Sequence, residues 1–99
     1  MRPDSQPAVY ILTNRIGGVL YTGVTSNLIA RVWQHRQKLG GFSTRYRCDK
    51  LVWFELHSDM YSAISREKPI KAGSRTRKIA LIEAGNPDWR DLFNELAGT

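Results

Sequence analysis

Two short apolar, β-branched runs open the pattern of this chain: Ala8–Thr13 (AVYILT) and Val19–Thr25 (VLYTGVT), with Gly17-Gly18 between them. Such runs around a Gly pair predict an antiparallel hairpin. Ser26 or Asn27 can cap a helix in which Leu28, Ile29, Val32 and Trp33 recur at helical spacing, and that helix is expected to end near Gly40-Gly41. Phe42–Lys50 has no clean period and reads as a basic loop, whereas Leu51–His57 (LVWFELH) reads as a third strand. From Asp59 a helical stretch runs through Ala63, Ile64 and Glu67, kinked or interrupted at Pro69. Gly73 breaks it, and Ser74 can cap a helix bearing Ile79, Leu81 and Ile82. After Gly85-Asn86-Pro87, the spacing of Trp89, Leu92, Phe93 and Leu96 predicts a last helix. The order β-β-α-β-α-α-α around a hairpin implies an α+β domain with a small, mainly antiparallel sheet.

The length, 99 residues, suits one domain and one core. Residues 1–7 read as a loose leader, 8–96 as the domain and 97–99 as a tail. No apolar run approaches the ~20 residues of a membrane helix, and no signal-peptide core follows Met1. A lone Cys48 excludes an intrachain disulfide framework and a multi-Cys zinc site. Together these features predict a cytoplasmic protein. Charge adds a further clue, because the net +6 is unevenly spread. Arg31–Lys50 holds six Lys/Arg and one acid, and Arg66–Lys78 again holds six and one. Two such stretches suit a polyanionic partner, a nucleic acid backbone being the simplest, although solvated helix faces give the same pattern.

Signatures of the P-loop, GxGxxG, HExxH and GxSxG kinds are missing from the chain. What remains is a set of residues at suggestive spacing. Tyr10 and Tyr21 fall on neighbouring strands of the expected hairpin, as a catalytic pair or as cross-strand packing. Arg31 and His35 share one flank of the first helix, and the plain alternative is a solvated pair. Glu67 is a lone carboxylate in the most basic stretch, hence an ion-pair partner or a metal ligand. Trp33, Trp53 and Trp89 lie on apolar stripes or strands and read as core, with Tyr46 and Trp53 also able to stack on bases. Cys48 lacks a partner that would make it a nucleophile.

The ordered set Ala8-Val9-Tyr10, Tyr21-Thr22-Gly23, Arg31 and Glu67 resembles the GIY-YIG nuclease superfamily. The stretches YTGVTSNLIARVWQH, REKPIK and KIALIEAGNPDW resemble its small, single-domain bacterial branch, over about residues 8–93. The first motif departs from Gly-Ile-Tyr at two positions, and Thr22 stands where Ile is usual. The resemblance implies an α/β sandwich around a central three-stranded antiparallel sheet. It also implies a metal-dependent endonuclease that hydrolyses phosphodiester bonds in DNA, of a structure-selective kind suited to repair or processing. Tyr10 would be the general base, its pKa lowered by Arg31, and Tyr21 would hydrogen-bond the phosphate or water. Arg31 would hold the scissile phosphate, His35 would orient water or assist proton transfer, and Glu67 would bind Mg²⁺ or Mn²⁺. Gly23 belongs to the second motif. The family's C-terminal Asn maps to Asn86, which also reads as a helix cap with Pro87 in the first turn. DNA backbone contacts would fall to Arg36, Lys38, Arg45, Arg47, Lys71, Arg75 and Lys78. The alternative is a nucleic-acid-binding module with the same fold and little or no cleavage.

Overall fold

The computed structural model describes residues 6–37 and 47–97. Three strands, β1 (Ala8–Thr13), β2 (Leu20–Thr25) and β3 (Lys50–Leu56), form one antiparallel sheet in the order β2-β1-β3. Four helices accompany it: α1 (Leu28–Arg36), α2 (Met60–Ala72), α3 (Arg75–Gly85) and the short α4 (Phe93–Leu96). The element order and the α+β class are those expected from the pattern of apolar positions, and the sandwich around a three-stranded sheet is the one the resemblance implied.

β1 is central and covered on both faces, which is why its six residues are all buried and apolar or Thr. On one face Ala8, Tyr10 and Leu12 pack with Leu28 and Val32 of α1, with Cys48 and Leu51, and with Phe93 and Leu96 of α4. On the other, Val9, Ile11 and Val52 pack with Ala63 and Ile70 of α2, Ile82 of α3 and Trp89. The period of two therefore divides one strand between two cores. A register shift between Ile11 and Leu12 accommodates the extra residue of β3.

Caps account for the helix starts. Asn27, Asp59 and Ser74 accept hydrogen bonds from Ala30, Ser62 and Arg77 backbone N–H groups. The outer edge of β3 is partly closed by the C-terminal segment. Leu92 N–H donates to the Leu51 carbonyl (2.7 Å), and Asp91 Oδ1 accepts from Leu51 N–H (3.2 Å).

Four local expectations are corrected. α2 runs unbroken from Met60 to Ala72 through Pro69. Pro69 and Ser65, whose carbonyl loses its partner, are both exposed, so water can satisfy the orphaned oxygen. α1 ends at Arg36, short of Gly40. The last helix shrinks to Phe93–Leu96, because Trp89 takes φ +56°, a left-handed conformation that no helix continues. Trp33, expected in the core, is 53% exposed, whereas Trp89 is buried as expected and donates its indole N–H to Glu83 (2.8 Å).

Candidate active site

The hairpin register pairs Tyr10 with Gly23 and Leu12 with Tyr21, so both tyrosines point to the α1 face of the sheet as diagonal neighbours. Their rings lie 6.3 Å apart, and His35 of α1 meets both edge-on, at 6.0 Å from Tyr10 and 5.2 Å from Tyr21. Tyr10 Oη lies 3.3 Å from His35 Nε2. Arg31, one helical turn before His35, hydrogen-bonds the Tyr10 phenol. Gly23 makes the arrangement sterically possible: a Cβ there would lie 2.5 Å from Tyr10 Oη and 2.6 Å from its ring carbon Cζ. The glycine of the second motif is thus a vacancy filled by the tyrosine of the first.

Burial governs the protonation of this group. Tyr10 has no exposed surface, and burial above all, then Tyr21, pushes its phenol up to about 12. The charge and hydrogen bond of Arg31 oppose that rise without cancelling it, and the negative charge of Glu67 adds to it. The expected lowering of Tyr10 by nearby cations is therefore corrected: desolvation outweighs them. Burial and then the positive charge of Arg31 hold His35 below its ordinary value, so its imidazole is neutral at pH 7. A neutral imidazole beside a protonated phenol forms one hydrogen-bonded pair, whose proton can sit on either partner's side of the contact.

Glu67 comes from the other layer. It lies between Ala63 and Ile70 on the buried side of α2, which packs against β2 and β1. Its carboxylate is ion-paired with Lys71 at 3.6 Å, one turn later. Its negative charge is the last of the influences that raise Tyr10, acting on that phenol from the opposite layer.

The other site residues expected from the sequence scatter. Arg36 forms an ion pair with Asp91 and lies over the Phe93 ring at 4.5 Å, fastening α1 to the C-terminal segment. Lys78 donates to the carbonyls of Lys71 (3.2 Å) and Gly73 (3.1 Å), closing the C-terminus of α2. Arg75 donates to the Gly17 carbonyl in the β1–β2 turn (2.7 Å). Arg47 is exposed with φ +56°, and Lys38, Arg45 and Tyr46 lie outside the described residues. Asn86 does not start a helix. It ends α3, donates to the carbonyls of Val52 (3.1 Å) and Arg90 (2.9 Å), and accepts from Arg90 N–H (3.0 Å). Those bonds place it against β3, at the opposite edge of the sheet from Gly23. Asp91, passed over in the sequence, is a second fastener, accepting from Leu51 and Phe93 N–H groups as well as from Arg36.

The GIY-YIG catalytic domain matches residues 6–80, most of the chain. The chain belongs to the GIY-YIG family. It is 31% identical to a UPF0213 protein of Desulfotalea psychrophila over 93% of this chain and 87% of that one. A UPF0213 protein of Clostridium perfringens is 42% identical over 66% of this chain and 71% of its own length. For one from Haloquadratum walsbyi the values are 40%, 67% and 75%. No solved structure matches the chain. Against the GIY-YIG pattern, Thr22 replaces an Ile on the α2 face, and its buried hydroxyl has no hydrogen-bond partner among the described residues.

Proposed function

We propose that this GIY-YIG domain is a metal-dependent endonuclease that hydrolyses phosphodiester bonds in DNA. The observation that carries the reading is the Tyr10–His35–Arg31 group, with Tyr21 beside it and the Glu67 charge within reach. A fold held together by packing alone has no use for Tyr10, Tyr21, Arg31 and His35 gathered at one face of a small core.

Arg31 supplies a planar guanidinium suited to two phosphoryl oxygens. Tyr21, half-buried, hydrogen-bonds the phosphate or the attacking water. Tyr10 keeps its proton at neutral pH and has no surface of its own, so His35, half-buried and neutral, is the acceptor for the proton of water. Tyr10 then acts as its positioning partner, able to pass a proton along the 3.3 Å contact. Glu67 would hold the metal. Among the described residues no three His, Cys, Asp or Glu side chains cluster, and a lone carboxylate fits Mg²⁺ or Mn²⁺, which retain several waters. When bound, such an ion stabilises the leaving 3′-oxygen. Lys71, Arg75 and the neighbouring Arg77 contribute phosphate contacts.

One observation favours a second reading, a binding module that cleaves little: the complete burial of Tyr10. The two separate when purified protein is incubated with plasmid and branched DNA, with Mg²⁺ and with EDTA. Mg²⁺-dependent scission is the expected result. DNA binding without scission of any form would establish the module instead.

A further inference from the structure

The β1–β2 turn is built more firmly than a solvent loop requires. Asn14 Oδ1 accepts from Val19 N–H (2.8 Å), the Thr13 hydroxyl lies 2.8 Å from the carbonyls of both Arg15 and Val19, and Gly18 N–H donates to Arg15 O (2.9 Å). Gly17 takes φ +70°, and a Cβ at Gly18 would fall 2.0 Å from Asn14 Oδ1, so the turn accepts glycine at both positions. Arg75 reaches across from α3 to the Gly17 carbonyl and braces the turn from outside. At the crest of this rigid structure stands Ile16, 68% exposed.

Its surroundings are cationic. Residues 5–48 and 68–82 contain no Asp or Glu. The tip and the helix that braces it contribute Arg15, Arg75 and Arg77, while Asp49, just before β3, is paired with Lys50 at 3.4 Å. A lone exposed isoleucine is ordinary, but one held rigidly among arginines is not, because the field draws a polyanion onto it. The tip also continues the strands that carry the tyrosines. At ~3.3 Å per residue it lies within about 15 Å of Tyr21, roughly four base-pair steps along a duplex.

We propose that Ile16 is a wedge that enters the base stack of DNA where stacking is already interrupted, at a nick or branch, while Arg15, Arg75 and Arg77 hold the flanking phosphates. Opening an intact step costs a few kcal/mol, and less where the stack is already broken. The wedge therefore makes discontinuous duplexes the preferred substrate class. This deepens the endonuclease reading and rests on its DNA substrate, though not on its chemistry.

The test is binding in EDTA, where cleavage plays no part. Two duplexes of one sequence are compared, one continuous and one nicked, each with 2-aminopurine at the central step. Wild-type protein is expected to bind the nicked duplex roughly tenfold more tightly, about 1.4 kcal/mol of discrimination, and to raise the 2-aminopurine fluorescence. Ile16→Ala should lose both effects yet bind the continuous duplex as before, and Ile16→Leu should restore them. Ile16 is exposed, so both variants are expected to keep the fold, and circular dichroism checks it. Equal affinity of wild type for both duplexes, or an undiminished preference in Ile16→Ala, overturns the wedge alone. Failure to bind either duplex overturns the DNA reading with it. A working wedge in a protein that never cleaves with Mg²⁺ leaves this proposal standing and removes the endonuclease.

Discussion

The α1 side of the sheet and the α2–α3 side treat polar residues in opposite ways. On the α1 side, Tyr10, Tyr21 and His35 are drawn into or against a hydrophobic cluster, and burial moves the Tyr10 and His35 pKa values. On the α2–α3 side, Lys68, Lys71, Arg75 and Arg77 stay exposed. The first arrangement suits chemistry, because desolvated groups have altered proton affinities and strengthened interactions. The second suits attraction of a polyanion, which needs charge in reach rather than perturbed. Glu67 stands between the two, a carboxylate of the basic segment turned to the buried side of its helix.

The largest expected effect breaks the buried side. Arg31→Ala should lower the rate of DNA cleavage by about 10²–10³-fold, as removal of a transition-state hydrogen-bond donor does. Single-turnover kinetics at saturating enzyme would measure it, and a change confined to affinity would instead assign Arg31 to the binding side.

Next comes the pH dependence of Tyr10. Its folded pKa, about 12, is raised above the unfolded value near ~10, so the folded state holds its proton longer. The resulting stabilisation is full below about pH 10 and is lost as pH rises through 12, some 2–3 kcal/mol on an order-of-magnitude basis. Denaturant unfolding across that alkaline range should show the decline in wild type and a smaller one in Tyr10→Phe. His35, lowered in the fold, works at the other end: stability should fall as pH drops below about 6.5.

Gly23→Ala tests the same packing sterically. Its Cβ would overlap the Tyr10 hydroxyl and ring, which His35 and Tyr21 hold in place, and a loss of about 1–3 kcal/mol is expected from chemical denaturation. On the other face Thr22→Val removes a buried hydroxyl that has no partner among the described residues and should raise stability by ~1 kcal/mol.

How much of this could be read from the sequence follows from which interactions are local. The hairpin was legible because Ala8–Thr13 and Leu20–Thr25 are β-branched runs joined by a glycine turn, and turn chemistry is local. The approach of Tyr10, Tyr21 and His35 was legible through family spacing and strand parity, whereas Glu67 stands on the other layer, on the buried side of α2. The protonation state of Tyr10 was not, because it depends on how completely α1 and the C-terminal segment cover it. The basic residues were the least legible. Arg36 and Lys78 look like phosphate contacts in sequence, yet Asp91, 55 residues away, claims the first and the C-terminus of α2 the second. Trp89 marks the limit of periodicity: Asn86 closes a tight turn there, and the helix expected from Trp89 onward begins only at Phe93.

The most direct measurement of the division between chemistry and attraction is Glu67→Ala, assayed for Mg²⁺-dependent cleavage and for DNA affinity in EDTA on the same preparation. The account predicts that cleavage falls by orders of magnitude, while affinity holds or rises because a negative charge has left a basic surface. Undiminished cleavage in the variant would contradict it, leaving Glu67 as no more than the ion-pair partner of Lys71.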